Sequence, residues 1–87
     1  MRLRNAQDLG RYVRDRRRVA GLSQTVLAER ATVSRRWLSD LETGKPTAEI
    51  GLVFKVIGAL GLLLDCRPEP TPEIDLDSYL DSLGGEP

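Results

Sequence analysis

The hydrophobic positions along the first sixty residues recur at helical spacing, between residues that start and stop helices. Asn5, followed three residues later by Asp8, predicts a helix N-cap. The apolar residues Leu9 and Val13 share one stripe, which continues until Gly21 and predicts a first helix of about 14 residues. The chain therefore opens with an amphipathic helix that ends at a glycine.

Two shorter helices are predicted next, because Ser23 and Ser34 are natural N-caps and Gly44 is a natural helix stop. Their predicted buried positions are Leu27, Ala28, Ala31, Leu38 and Leu41. Pro46 then breaks the chain before a strongly apolar fourth helix that Gly61 closes. The apolar positions of this fourth helix are Ile50, Val53, Phe54, Val56, Ile57 and Leu60.

The short apolar run 62–67 is too brief for a helix and is followed by prolines, so we interpret it as a strand. An isolated strand has unpaired edges, and the simplest partner is the same strand of a second chain. We therefore expect an all-α helix-turn-helix bundle of four short helices, or five, plus one C-terminal β-strand that pairs across a homodimer. The residues assigned to dimerisation are Leu62, Leu63, Leu64 and Cys66.

Charge is divided along the chain although the net charge is zero. Residues 1–47 hold eleven basic and five acidic side chains, a net +6, and residues 48–87 hold two basic and eight acidic side chains, a net −6. A polyanion is attracted to the first part and repelled by the second. The division indicates a nucleic-acid ligand for the first part.

Other features exclude several classes of protein. The chain has no histidine and one cysteine, so it offers neither a disulfide framework nor a zinc site. No apolar run approaches the roughly 18 residues of a membrane span, and neither a glycine-rich phosphate loop nor a nucleophile with a base is evident. We expect a cytoplasmic protein that is not an enzyme and uses no cofactor, metal or membrane.

Residues 23–44 read SQTVLAERATVSRRWLSDLETG, two capped helices separated by three residues. Ala28 is small where the two helices must cross. The second of them presents Ser34, Arg35 and Arg36 in an exposed first turn, as a helix in the major groove of DNA requires. This layout is typical of a helix-turn-helix, although two short capped helices also occur in ordinary bundles.

The chain resembles the Xre, or lambda-repressor-like, helix-turn-helix family through the words GLSQ, LAERA, VSRRWLSDLETGKP and VFKVIGALG. The run LLLDCR is similar to the HipB-like antitoxin branch, in which such a strand joins two subunits. The resemblance implies a DNA-binding domain with its dimerisation strand over 1–67. It leaves 68–87 outside as an acidic tail that we expect to be flexible.

The resemblance also implies a set of DNA contacts. Ser23 and Gln24 begin a helix and suit a phosphate oxygen, Arg35 and Arg36 suit guanine, and Lys45 suits a phosphate. The full set implied is Ser23, Gln24, Ser34, Arg35, Arg36, Trp37, Ser39, Asp40 and Lys45.

Some of these roles have alternatives. Trp37 is either a core residue or a contact to the DNA backbone, and we favour DNA because two leucines already fill the inward face. Asp40 either accepts from a cytosine amino group or orients Arg36, four residues away. The exposed arginines of the first helix, Arg14, Arg16 and Arg18, are equally well explained as solvated charges.

Two further positions are structural. Glu42 resembles a buried glutamate of the family that pairs with a first-helix arginine, for which Arg17 is in register. Thr32 departs from the family, which usually has glycine in this turn. A β-branched residue at positive φ is strained by about 1 kcal/mol, unless the local turn differs.

The tail has hydrophobic residues that suit a partner protein: Leu76, Tyr79, Leu80 and Leu83. We interpret the chain as a repressor that binds a palindromic double-stranded operator as a homodimer, and as the antitoxin of a HipA-like kinase toxin that regulates its own operon. The alternatives are a stand-alone or phage-type Xre repressor and a protein interaction module that does not bind DNA.

Overall fold

Four α-helices make up most of the part of the chain that the structure describes. The computed structural model describes residues 2–69, in which the helices are α1 (Ala6–Val19), α2 (Gln24–Ala31), α3 (Arg35–Glu42) and α4 (Ile50–Ala59). The predicted all-α arrangement of four short helices is confirmed. The tail, with its predicted partner-binding residues and any fifth helix, lies outside the described residues.

Side-chain caps begin three of the helices. Asn5, Ser23 and Ser34 have extended backbone conformations, and each accepts a hydrogen bond of 2.8–3.1 Å from the backbone N–H three residues further on. Each bond satisfies a donor that the helix itself leaves unpaired. Helix α4 begins after Glu49 without a side-chain cap.

All four helices end in the same kind of turn, with a residue of positive φ after the last helical turn. Three of these residues are glycines, Gly21, Gly44 and Gly61, at φ 73°, 92° and 69°. The fourth is Thr32, at φ 59° and ψ 46°, where its N–H donates to Glu29 O at 3.2 Å. The threonine therefore occupies the same turn as the glycines, and the alternative of a different turn is wrong.

One fully buried side chain from each helix meets at the centre of the core. These four are Val13, Leu27, Leu38 and Val56. Ala28, Ala31, Leu41, Val53 and Ile57 complete the buried cluster. Burial of apolar area contributes about 25 cal/mol per Å², so this shared cluster is what holds four short helices together.

Helices α1 and α3 cross at Gly10. A Cβ at this position would overlap Leu41 O and lie 2.9 Å from Glu42 O. Because the obstacle is backbone, a larger residue could not be accommodated by moving a side chain. Gly10 therefore allows the close approach of α1 to α3.

The segment 62–69 has no regular secondary structure in the described chain. Leu62 packs against the core, whereas Leu63 and Leu64 are 90% and 42% exposed. Arg4 and Glu69 form an ion pair of 2.8 Å, which places the end of the segment beside the start of α1. A strand needs a hydrogen-bonding neighbour, so the pairing between chains stays a prediction.

Candidate nucleic-acid interface

The amino-terminal half of α3 presents polar side chains to solvent. Arg35 and Arg36 are exposed and Ser39 is partly exposed, while Leu38 is buried beneath them. With the exposed Lys45 of the following loop, we call Arg35, Arg36, Ser39 and Lys45 the reading surface. Its donors and positive charges suit an anionic ligand with hydrogen-bonding edges.

A buried ion pair joins α1 to α3 behind this surface. Arg17 Nε donates to Glu42 Oε2 at 2.7 Å and Arg17 Nη2 donates to Glu42 Oε1 at 3.0 Å. A third bond, from Arg17 Nη1 to Leu22 O at 2.9 Å, holds the start of the loop before α2. The arginine therefore fixes α1, α3 and the entry to α2 relative to one another.

The hydrogen bond to Glu42 raises the pKa of Arg17, with burial opposing it and the charge of Glu42 adding to it. Because an arginine side chain already has a very high pKa, this raised value keeps Arg17 charged throughout the range in which proteins fold. Its contribution to stability is therefore fully present at neutral pH.

Gln24 connects the buried pair to the reading surface. Its Nε2 donates to Glu42 Oε1 at 3.0 Å, and its Oε1 accepts from Arg35 Nη1 at 3.2 Å. The amide thus has one end on a buried carboxylate and the other on an exposed guanidinium. The sequence analysis assigned Gln24 only to a phosphate, and no local pattern indicates the bridge, because its partners are 18 and 11 residues away.

The side-chain oxygens of Ser23 and Ser34 are occupied by the caps of α2 and α3. Each serine is nevertheless exposed at a helix N-terminus, where backbone N–H groups and the helix dipole favour an anion. At both serines, the backbone N–H groups as well as the hydroxyl are therefore suited to contact a phosphate.

Trp37 and Asp40 are the two remaining predicted contact residues of α3. Trp37 is partly buried and packs against the core cluster, so the core contact that we ranked second is present, and only the remaining exposed part of the ring can meet a ligand. Asp40 Oδ2 lies 3.8 Å from Lys45 Nζ. Within residues 2–69, Lys45 and not Arg36 is its ion-pair partner, which corrects the expectation that Asp40 orients Arg36.

Comparison with known proteins agrees with this geometry. A family model described as "Helix-turn-helix domain" matches residues 8–68. A protein of Sinorhizobium fredii described as "Uncharacterized HTH-type transcriptional regulator y4mF" is 44% identical over 64 residues, which are 74% of this chain and 84% of that protein.

Two solved structures share the fold. HipB in the "HipB-O4 20mer complex" and a chain described as "MDT Protein" each have a TM-score of 0.75 and 17% identity, and each comparison covers 80% of this chain and 99% of the other. The chain belongs to the helix-turn-helix domain family, and its fold is HipB-like. This family is a class of transcription regulators and not of enzymes.

Two other kinds of site find no support in the part of the chain that the structure describes. No helix there is both long and apolar enough to cross a membrane. Nor do three side chains of the types that hold metal ions come together among residues 2–69.

Proposed function

We propose that the chain is a sequence-specific repressor that places α3 in the major groove of double-stranded DNA. The observation that carries the proposal is the pair of exposed arginines, Arg35 and Arg36, at the start of a helix whose other face is buried. An arginine donates two parallel hydrogen bonds to guanine, which discriminate against another base by about 1–3 kcal/mol.

The bridge through Gln24 supports this assignment. Arg35 is held by an amide that is itself held by the buried carboxylate of Glu42. A side chain restrained before binding loses less conformational entropy when it meets its ligand. We assign base contacts to Arg35 and Arg36, and backbone contacts to Ser23 and Lys45.

The experiment is selection from randomised duplexes with the full-length protein, followed by a salt titration on the selected sequence. A repressor of this kind enriches a palindromic sequence, and the logarithm of its affinity falls linearly with the logarithm of salt concentration, by about 0.9 per phosphate contact. Absence of any enriched sequence, with no salt-dependent binding, contradicts the proposal and favours the protein interaction module.

We further propose that a second copy of the chain covers an apolar surface made by Ile50, Phe54, Leu63 and Leu64. Their exposures are 65%, 51%, 90% and 42% in the single chain. Ile50 and Phe54 are four residues apart and share one face of α4. Large exposed hydrophobic residues are characteristic of an interaction surface, and two of these four, Leu63 and Leu64, belong to the segment predicted to pair as a strand.

Sedimentation of three proteins tests the homodimer. Phe54→Asp places a charge in the proposed interface and Leu64→Pro removes a backbone donor from the predicted strand, so both variants are expected to shift towards monomer. Arg30→Gln, at an exposed position of α2, is the control and is expected to remain dimeric. Dimeric Phe54→Asp and Leu64→Pro proteins would place the contact elsewhere.

A dimer of this fold presents two recognition helices to half-sites roughly 34 Å apart. We infer that the protein acts in the cytoplasm as the antitoxin of a HipA-like kinase, and that residues 68–87 bind this toxin. The HipB-like fold and the hydrophobic tail residues support the inference. A stand-alone repressor is the alternative, because it shares the entire reading surface.

Copurification from the native host, with the full chain and with a truncation after Arg67, separates these possibilities. An antitoxin retains a kinase-like protein when full length, loses it on truncation and still binds its operator. A full-length chain that retains no such protein contradicts the antitoxin role and leaves the stand-alone repressor.

A further inference from the structure

We infer that the DNA-binding surface extends onto one side of α1, where Arg14 and Arg18 contact the phosphate backbone. This inference rests on the proposed DNA binding, and it assigns a ligand to two arginines that the helix-turn-helix itself does not include. Both side chains are exposed. Within residues 2–69, neither takes part in an ion pair of 4.0 Å or less.

The line of contact between α1 and α3 fixes the orientation of α1. Gly10 lies against the carbonyl of Glu42, and Arg17 binds the carboxylate of the same residue. Gly10 and Arg17 are seven residues apart, so they lie two turns apart on nearly one line along the helix. This line is the reference from which the other side chains of α1 can be placed.

The core lies on one side of that line. At about 100° per residue, Val13 and Leu9 are turned about 60° and 100° from Gly10 in one direction, and they are respectively buried in the core and packed against it. Arg14 and Arg18 are turned about 40° and 80° in the opposite direction. They therefore lie on the side of α1 that faces away from the core.

Helix α3 repeats this arrangement. Glu42 lies on its contact line with α1, and Leu38 and Leu41 lie towards the core. Around the helix axis, the side chains next to Glu42 on the side away from the core are those of Arg35 and Ser39. Helices α1 and α3 meet at Glu42, which binds Arg17 of α1 directly and Arg35 of α3 through Gln24. Next to this meeting point, the sides of both helices that face away from the core border the same surface.

Arg14 and Arg18 are therefore neighbours of the reading surface, on the side of α1. Arg11 occupies the same side, but its Nη2 lies 3.6 Å from Asp8 Oδ1, which partly neutralises it. Asp15 is also exposed on this side. The two positive charges of Arg14 and Arg18 exceed its single negative charge, so this side of α1 has a net positive charge. An extended surface of this sign suits the phosphates that flank a major-groove contact, since these positions carry charge but no sequence information.

The same helix offers a matched control. Arg16 is exposed like Arg14 and Arg18, but it is turned about 120° from Gly10 on the other side, beyond the core-facing residues. Arg14→Gln, Arg18→Gln and Arg16→Gln each remove one positive charge from the same helix. Any long-range effect of net charge is thus similar in all three variants, and a difference between them reports position.

The test is the salt dependence of binding to a selected duplex and to a duplex of scrambled sequence, with full-length wild type and the three variants. We expect Arg14→Gln and Arg18→Gln each to reduce the slope of log affinity against log salt by about 0.9 per bound chain on both duplexes. Over a fourfold range of salt this difference amounts to about 3.5-fold in affinity per chain. Arg16→Gln is expected to keep the wild-type slope.

Wild-type slopes for Arg14→Gln and Arg18→Gln, or equal reductions in all three variants, would overturn the inference while leaving the proposed repressor intact. A wild-type protein that binds neither duplex would instead remove the proposed function, and this inference with it. Circular dichroism of each variant checks that the substituted residues, all exposed, leave the helices folded.

Discussion

Two exposed surfaces of the described domain differ in how their side chains are supported. On the reading surface, Arg35 is bonded to Gln24, which is bonded to the buried pair of Arg17 and Glu42. On the apolar surface, Phe54 and its neighbours are large hydrophobic side chains that residues 2–69 leave exposed. Hydrogen bonds within the domain hold Arg35 on the reading surface, whereas the side chains of the apolar surface are exposed among residues 2–69.

The difference separates two tasks. A network of charge-assisted hydrogen bonds that ends in one exposed arginine, Arg35, costs little further ordering when an anionic ligand binds. Exposed hydrophobic residues gain only when another apolar surface covers them. The comparison therefore assigns DNA contact to the reading surface and assembly to the apolar surface, and substitutions can act on the two separately.

The largest effect is expected from breaking the support of the reading surface. Glu42→Gln leaves the Arg17 guanidinium buried without its counter-charge, which costs about 3–5 kcal/mol of the free energy of unfolding. Asp40→Asn is the control, because the Asp40–Lys45 pair is partly exposed and contributes less than about 1 kcal/mol. Urea unfolding at fixed protein concentration measures the free energy of unfolding of both variants. Equal losses would show that the buried pair stabilises the protein no more than the partly exposed pair.

A smaller loss is expected from Gly10→Ala, which forces α1 away from α3. Overpacking costs about 1–3 kcal/mol, and here the added methyl meets backbone, so the clash outweighs the helix propensity gained, about 1 kcal/mol. Gly58→Ala is the control, since a Cβ there has nothing within 4 Å among residues 2–69. A Gly10→Ala protein as stable as wild type would contradict the close crossing of α1 and α3.

The smallest effect, a gain in stability, is expected at the turn between α2 and α3. Thr32→Gly relieves a positive φ that costs an ordinary residue about 1–2 kcal/mol, while glycine loses about 0.5–1 kcal/mol in backbone entropy. We expect a net stabilisation of up to about 1.5 kcal/mol, seen as a rise in Tm. A decrease in Tm would show that the threonine side chain contributes to the turn.

Local sequence patterns predicted the features that depend only on neighbouring residues, namely where each helix begins and ends. The caps at Asn5, Ser23 and Ser34 and the glycine stops were identified from spacing, because a cap and its helix are adjacent in sequence. The close approach at Gly10 and the bridge through Gln24 were missed, because they depend on how short helices pack across the core. These long-range contacts are set by the packing of the whole domain and not by any one segment.

The predicted strand shows a second kind of contact that the sequence of one chain does not determine. Leu63 and Leu64 have the apolar character of a strand, but residues 2–69 offer this segment no neighbouring strand. Arg17 and Glu42, in contrast, were paired through the family resemblance and lie 2.7 Å apart at Nε and Oε2. A contact within the fold can thus be placed, while a contact between chains needs the second chain.

The central claim is that α3 reads bases, and it is tested most directly by comparing losses on two DNAs. Arg35→Ala, Arg36→Ala and Lys45→Ala are each measured on a selected operator and on a scrambled duplex. We expect each arginine variant to lose about 5- to 150-fold in affinity on the operator, the equivalent of about 1–3 kcal/mol, and much less on the scrambled duplex, whereas Lys45→Ala loses similarly on both. Equal losses of the arginine variants on the two DNAs would contradict base reading by α3.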